Sequence, residues 1–326
     1  MNTTSVGLIG VGRHGSRYLS HLLTEETGGS LLAVSRRNAD KGQRITEQHH
    51  LRFYQNWNDL LGDPFIQAVV VATPPILNLP IALEAIQAGK AVLLEKPLAL
   101  NTLQAGQIVK LSRQAKVPVM TAHTLRYEST IQKLKEVGPS LGKWKRLSCT
   151  MKFDTHTIQS GNREGWGHYG VLMEIGIHLL DLIRFLTEEE ILAVSIEMER
   201  EGFKNPETRV WGSLTTKNGV ICTVDISGVS QGRTTRAEII GSNGRAQADW
   251  ANHHVTYTDK LKRTTDYPCP KTPTLVPLLK DFFRCIQTAT PMTITGEDGL
   301  QAVRIAEACY QSAQSGHPVT LPSLID

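Results

Sequence analysis

A glycine-rich turn near the start of the chain constrains the fold more than any other feature. The apolar run at residues 6–9 predicts a buried strand, residues 16–23 have the pattern of a helix, and Gly10-Val11-Gly12-Arg13-His14-Gly15 lies between them. In such a turn the first glycine permits the tight bend, the second lets the backbone approach a pyrophosphate, and the third lets the helix pack on the strand. N–H groups at the helix start favour phosphate. The motif alone is also compatible with a turn that binds nothing, but its context predicts a dinucleotide site.

The first third of the chain alternates strand and helix patterns. Strand-like apolar runs are followed by amphipathic stretches, with strands at 6–9, 31–34, 68–72, 91–94 and 118–121 and helices at 16–23, 39–48, 77–88 and 102–114. Alternation at this spacing indicates βαβ units. We therefore predict an α/β Rossmann domain with a doubly wound parallel sheet over residues 1–122.

Beyond residue 122 the pattern changes to successive strands. These are predicted at 144–154, 191–199, 209–216, 219–228 and 235–240, with helices at 170–186, 275–288 and 297–315. Runs of strands with few helices favour an antiparallel sheet. A chain of 326 residues also suggests about two domains. We predict an α+β C-terminal domain with a largely antiparallel open sheet over residues 123–326.

The end of the second strand indicates which dinucleotide is used. An acid that binds a free ribose 2′-hydroxyl is expected about 20 residues beyond the glycines, but Ser35 stands there, followed by Arg36 and Arg37. A hydroxyl and guanidinium groups would bind a 2′-phosphate, which a carboxylate would repel. We therefore expect NADP(H) rather than NAD(H); the alternative is that the two arginines are only a solvated turn.

Composition, charge and residue spacing argue against several other classes of protein. The net charge of +4 is spread along the chain, which argues against nucleic acid, and no apolar run approaches the ~18 residues of a membrane span. The first residues lack the pattern of a signal peptide, and five widely spaced cysteines are typical of thiols in a reducing compartment. Cys and His spacings match no metal motif. We expect a cytoplasmic protein without a metal, a nucleic-acid partner or a membrane anchor.

Two further motifs carry candidate chemistry. Glu95-Lys96-Pro97 follows the apolar run 91–94, which places a lysine at the carboxyl end of a parallel strand, where such sheets bind ligands. In the helix at 170–186, Glu174, His178 and Asp181 are four and three residues apart and are predicted to share one face. An imidazole beside an acid can accept a hydroxyl proton as hydride leaves an alcohol carbon. A surface salt bridge on the helix is the alternative.

The order of these motifs resembles that of the glucose–fructose oxidoreductase / inositol dehydrogenase (Gfo/Idh/MocA) family over nearly the whole chain. The resemblance rests on Val69-Val70-Val71-Ala72-Thr73-Pro74-Pro75, on Glu95-Lys96-Pro97 and on Glu174-x-Gly176-x-His178-x-x-Asp181. It implies that Lys96 contacts substrate and nicotinamide ribose, and that Glu174 and His178 are the catalytic acid and histidine. It also implies cofactor contacts by Thr73 and Pro74, substrate contacts by Arg126, Tyr127 and Trp166, and a homo-oligomer.

Three positions depart from the family pattern. Glu174 stands where Asp is usual, Asn78 stands where a histidine is frequent, and Tyr169-Gly170-Val171 replaces a glycine run before the helix. These changes keep hydride chemistry but leave the substrate open.

The sequence thus predicts an NADP(H)-dependent oxidoreductase that acts on a secondary alcohol or ketone of a sugar, polyol or similar small molecule. Alternatives are an NAD-dependent glycoside hydrolase of the same family, a non-catalytic dinucleotide sensor, and a reductase of a non-sugar substrate. The expected catalytic residues are Lys96, Glu174 and His178, which we also expect to bind substrate together with Arg126, Tyr127 and Trp166. The expected cofactor-binding residues are Gly10, Gly12, Arg13, His14, Gly15, Ser35, Arg36, Arg37, Thr73, Pro74, Asn78, Glu95 and Lys96. We expect a homodimer or homotetramer.

Overall fold

The protein is described by a computed structural model over residues 3–24, 27–154, 169–201 and 205–322. Its internal contacts divide the chain into two compact units, the first formed by Met1–His123 and Pro273–Val303 and the second by Thr124–Thr272 and Arg304–Asp326. The expected boundary between residues 122 and 123 lies one residue before the observed one. Residues 273–303, which the sequence analysis placed in the second domain, belong to the first unit instead.

The first unit contains a six-stranded parallel sheet in the order β3-β2-β1-β4-β5-β6. Its elements are β1 Thr4–Ile9, α1 Gly15–Thr24, β2 Gly29–Ser35, α2 Ala39–His49, β3 Arg52–Tyr54, α3 Trp57–Gly62, β4 Ala68–Val71, α4 Asn78–Gln87, β5 Ala91–Leu94, α5 Thr102–Ala115 and β6 Val119–Thr121. β4 and β5 are buried along their whole length, as expected when helices cover both faces of a parallel sheet. The strand order reverses between β1 and β4, and the loops beyond their carboxyl ends flank the crevice where such sheets bind ligands.

The second unit contains a nine-stranded sheet within the described residues, in the order β14-β13-β12-β11-β7-β10-β9-β8-β15. The elements that follow β6 along the chain are α6 Ser129–Val137, β7 Trp144–Asp154, α7 Ile177–Thr187, β8 Ile191–Arg200, β9 Glu207–Thr216, β10 Ile221–Ser227, β11 Val229–Gly241, β12 Gly244–Asp249, β13 His254–Asp259, β14 Thr264–Pro268, α8 Leu275–Thr288, α9 Gly296–Ser315 and β15 Val319–Thr320. Neighbouring strands are antiparallel except β7 and β10, which pair in parallel. The predicted fold class, a Rossmann domain followed by an α+β domain, is confirmed.

Helix α8 explains why residues 273–303 join the first unit. Phe283 is fully buried, and a methyl carbon at Gly29, the first residue of β2, would lie 2.3 Å from its ring. The side-chain amide of Gln287 donates to the carbonyl of Gly28 over 2.7 Å and to the hydroxyl of Thr4 over 3.3 Å. The helix therefore packs against the amino-terminal ends of β1 and β2.

Candidate active site

The glycine-rich turn has the close contacts that its motif predicts. Gly10 has a φ of +91°, its N–H donates to the carbonyl of Ser35 over 3.0 Å, and a Cβ there would lie 2.6 Å from the carbonyl oxygen of Ala72. A Cβ at Gly15 would lie 1.9 Å from the carbonyl oxygen of Gly10. A Cβ at Gly12, by contrast, would have no described atom within 4 Å. The turn is therefore tight on the protein side and open where a pyrophosphate would approach, so it fits a dinucleotide.

The loop after β4 lies against this turn. The methyl group of Thr73 is 2.9 Å from the place of a Cβ on Gly10, and the Thr73 hydroxyl is buried without a hydrogen-bond partner among the described residues. Pro74 is exposed, as are Arg13 and His14 on the glycine turn. The residues expected to contact cofactor in these two loops thus meet at one edge of the parallel sheet, and contact with the cofactor itself stays a prediction.

The loop after β2 reaches the same turn through Arg36. The guanidinium of Arg36 donates to the carbonyl of Val11, and the backbone N–H of Arg36 donates to the carbonyl of Tyr54 over 3.2 Å. Ser35 is buried, Arg36 is half-buried and Arg37 is exposed. The two arginines, rather than the serine hydroxyl, are therefore the groups of this loop that reach the surface.

Glu95 joins the glycine turn to the turn that carries Lys96. One carboxylate oxygen of Glu95 lies 2.6 Å from Nε2 of His14 and accepts the hydroxyl of Tyr18 over 2.6 Å. The other accepts the backbone N–H of Lys96 over 3.2 Å. Glu95 is only 9% exposed, so its carboxylate serves these protein contacts. A direct cofactor contact by Glu95 stays a prediction.

The same network keeps Glu95 ionised. Burial alone would raise the pKa of its carboxyl, but the hydrogen bond and charge of His14, the hydrogen bond of Tyr18 and the charge of Lys96 together bring that pKa below its ordinary value. Burial and the neighbouring Glu95 charge raise the pKa of the Tyr18 phenol. The pair is therefore a carboxylate held by a neutral phenol.

Asn78 holds the Lys96 turn from the other side. It is fully buried, and its side-chain amide donates to the carbonyl of Glu95 over 3.0 Å and to the carbonyl of Pro97 over 2.8 Å. Lys96 itself is half-buried and lies two residues beyond the end of β5. Asn78 thus positions this turn, and the cofactor contact expected of it stays a prediction.

In the second unit, Glu174 and His178 lie at the start of one helix. A π-helical turn at Leu172–Gly176 runs directly into α7, so that Glu174 is in the π turn and His178 is in the first turn of α7. Both are half-buried. Single π turns occur frequently at functional sites. Asp181, predicted on the same face, is fully buried, whereas the other two are half-buried.

Asp181 forms a buried ion pair with Arg126. Nε of Arg126 donates to Oδ2 over 2.9 Å and Nη2 donates to Oδ1 over 2.6 Å, while the two side chains are 7% and 0% exposed. The guanidinium also lies over the ring of Phe185 on α7, 5.3 Å from its centroid. This pair ties Arg126 to α7 and leaves little of its guanidinium exposed, and the substrate contact expected of Arg126 stays a prediction. Tyr127 is half-buried, and Trp166 lies outside the described residues.

Glu207, which the sequence analysis did not single out, caps the start of this helix. Oε1 of Glu207 accepts the N–H groups of Gly170 and Leu172 over 3.0 and 3.1 Å and the hydroxyl of Tyr310 over 2.7 Å. Glu207 is 1% exposed. Burial and the neighbouring carboxylate raise the pKa of Tyr310, so its phenol is neutral. A single acid two residues before a predicted strand carries no local signal for this role.

Comparison with known proteins identifies the class of enzyme. The profile described as the oxidoreductase family, NAD-binding Rossmann fold, matches residues 4–123, and the family's C-terminal alpha/beta domain matches residues 162–321. The chain is a nicotinamide-dependent oxidoreductase. It belongs to the Gfo/Idh/MocA family, as the motifs indicated.

Relatives align over nearly the full length. The chain is 25% identical to myo-inositol 2-dehydrogenase of Thermotoga maritima, covering 98% of this chain and 99% of the relative. It is 25% identical to D-apiose dehydrogenase of Paraburkholderia graminis, covering 97% and 89%. The crystal structure of GenD2 from gentamicin A biosynthesis in complex with NAD shares the fold, with a TM-score of 0.85, 23% identity, and 99% and 97% coverage.

Two other features are absent from the described residues. No helix there is long and apolar enough to cross a membrane. No group of three or more His, Cys, Asp or Glu side chains in that part of the chain is arranged to hold a metal ion.

Proposed function

We propose that this enzyme interconverts a secondary alcohol and a ketone of a sugar or polyol, with NADP(H) as the hydride carrier. The observation that carries the proposal is the Lys96 turn. Glu95 and Asn78 fix it from two sides, and Glu95 ties it to the glycine turn through His14. The relatives named as myo-inositol and D-apiose dehydrogenases support a polyhydroxylated substrate.

The cofactor would be held by the glycine turn, with its pyrophosphate against the backbone of Gly12 and the exposed Arg13. When bound, the nicotinamide gives or receives the hydride. Lys96 donates a hydrogen bond to the substrate oxygen and stabilises the negative charge that develops there. His178 receives the hydroxyl proton in oxidation and returns it in reduction. Glu174 orients the imidazole.

The catalytic roles are tested by substituting one residue of each unit. His178→Gln should lower kcat by roughly 100- to 10,000-fold, the usual worth of a general acid–base group, and Lys96→Ala should also lower kcat strongly. His178→Gln should leave NADPH affinity near that of wild type, and both variants should keep a melting temperature near that of wild type. Turnover is followed by nicotinamide absorbance on a series of sugars, polyols and keto-sugars. Unchanged kcat in His178→Gln would remove His178 from the mechanism.

The preference for NADP(H) is supported by Arg36, which bonds the glycine turn and reaches the surface. Arg36→Ala should weaken NADPH binding roughly 10- to 100-fold, the scale of a lost charged hydrogen bond, and leave NADH binding less affected. Lys110→Ala, which removes an exposed cation from α5, is the control for net charge. Equal wild-type affinities for NADH and NADPH would contradict the preference.

The quaternary state and compartment are proposed from the sequence and the family resemblance. We expect a cytoplasmic homodimer or homotetramer. Sedimentation velocity of the purified enzyme tests the first point, and a monomer at micromolar concentration would contradict it.

A further inference from the structure

We propose that Glu207 is a positioning residue for the helix that carries Glu174 and His178. The inference rests on the proposed function of that helix. Glu207 is the first residue of β9, and it is connected to the helix start by direct hydrogen bonds to Gly170 and Leu172. Glu174 is two residues beyond Leu172.

The carboxylate is placed where a helix start needs an acceptor. The first N–H groups of a helix have no partner within the helix, and the helix dipole makes this end positive. Oε1 of Glu207 accepts the N–H of Leu172, in the first turn of the helix, and the N–H of Gly170, just before the helix. The carboxylate is negatively charged, and Glu207 is only 1% exposed. Low exposure strengthens such charged hydrogen bonds. The contact therefore defines where the helix begins.

The position of Glu207 is itself held by Tyr310 on α9. The Tyr310 hydroxyl donates to the same Oε1 over 2.7 Å, and its ring lies 5.5 Å from that of Tyr169, the residue before the helix start. At Gly170 a Cβ would lie 2.2 Å from the carbonyl oxygen of Glu207, so the backbones of β9 and the helix start are in close approach. The start of the helix is therefore held by side chains from two elements, Glu207 on β9 and Tyr310 on α9.

The π turn makes this anchoring relevant to the chemistry. A π turn departs from the regular i→i−4 bonding of an α-helix, and here it spans Leu172–Gly176, so that its first residue is one of the two whose N–H groups Glu207 binds. Loss of the Glu207 contact would allow this turn to relax toward another register. Glu174 would then move relative to His178, and displacement of a reacting group by about 1 Å can lower a rate by 100-fold.

The two oxygens of Glu207 allow its charge to be separated from its hydrogen bonds. Oε2 is buried without a hydrogen-bond partner among the described residues, so Oε1 receives all three donors. Glu207→Gln can keep the acceptor oxygen and lose the charge. Glu207→Leu loses both, and Tyr310→Phe removes one donor while keeping the ring.

The test combines amide hydrogen exchange with steady-state kinetics on the full-length enzyme. Exchange of a peptide covering residues 169–176 should be faster by roughly 10- to 100-fold in Glu207→Leu and by a smaller factor in Glu207→Gln and Tyr310→Phe. Kinetically, kcat should fall by roughly 10- to 100-fold in Glu207→Leu, while KM and the NADPH dissociation constant stay unchanged. Glu197→Gln, an exposed acid on β8, and Tyr257→Phe, a half-buried tyrosine on β13, are matched controls.

The readouts distinguish failure of this inference from failure of the proposed function. Wild-type exchange of residues 169–176 in Glu207→Gln and Tyr310→Phe would overturn the positioning role, whether or not a substrate is known. Two kinetic results in these variants would also overturn it. One is a loss of kcat that is fully explained by a loss of folded protein, and the other is a rise of KM. Absence of turnover by wild type on every sugar and polyol would overturn the proposed function, while the exchange experiment would still decide the role of Glu207.

Discussion

The buried pair of Arg126 and Asp181 leads to a prediction that separates an anchoring role from a substrate contact. The two side chains are 7% and 0% exposed and are joined by two hydrogen bonds. Removing one partner of such a pair leaves an uncompensated buried charge and lowers the free energy of unfolding by about 3–5 kcal/mol. At about 2–4 °C per kcal/mol for units of this size, Arg126→Met should lower the melting temperature by roughly 6–20 °C.

The double variant Arg126→Met/Asp181→Leu refines this test. Replacing both charges by apolar side chains of similar volume removes the unpaired charge, so most of the lost stability should return. The free energy of unfolding is measured by urea denaturation followed by circular dichroism. Arg263→Met is the control, because the ion pair of Arg263 with Asp259 has a 77% exposed arginine and should contribute little to stability.

One outcome would refute the anchoring role of Arg126. If Arg126→Met keeps the wild-type melting temperature but raises KM for substrate, the guanidinium contacts substrate, as its place in the sequence suggested. If both single variants are strongly destabilised and the double variant recovers, the pair is structural.

Two further predictions concern the first unit. Because the pKa of Glu95 is held below its ordinary 4.5, its ionisation stabilises the fold above that pH and the stabilisation is lost as the pH falls through the lowered value. Glu95→Gln should therefore be less stable than wild type at pH 7, with a difference in urea midpoint that shrinks as the pH falls below 4.5; a pH-independent difference would contradict this. Gly15→Ala would place a carbon 1.9 Å from the carbonyl oxygen of Gly10, so calorimetry should show a lower melting temperature and weaker NADPH binding together. Gly62→Ala, whose added carbon would have no described atom within 4 Å, is the control, and equal behaviour of the two variants would contradict the close approach of strand and helix.

The strands that were predicted well are those whose burial is visible as an apolar run. β1, β4, β5 and β6 lie within two residues of the predictions, and their side chains are almost entirely buried. β3 was missed because its three residues, Arg52–Tyr54, form no apolar run. β13 and β14 were missed for a related reason, since they are mostly polar, half-exposed strands whose position depends on pairing with neighbours.

The residues of the candidate site also fall into two groups, those that a short sequence segment reveals and those that only the tertiary fold reveals. The glycine turn and Lys96 are recognisable locally, because a turn between strand and helix and the end of a strand are properties of short segments. Glu207 bonds residues 37 and 35 positions earlier and one 103 positions later, so only the tertiary fold defines its role. Arg126 shows a related limit: the family resemblance implies a substrate contact for it, and the sequence gives no sign of its buried ion pair with Asp181.

The division of the first unit between two stretches of sequence determines when the enzyme can fold during synthesis. The parallel sheet is complete by residue 121, but α8, whose Phe283 fills the space beside Gly29, is translated only after β7 to β14. A ribosome-bound chain that ends near residue 123 would therefore expose the apolar surface that α8 later covers. The second unit closes later still, with the end of α9 and β15. We accordingly expect dinucleotide binding by nascent chains to begin only when residues 273–303 have left the exit tunnel, and the segment 1–123 alone to be less stable than the complete first unit.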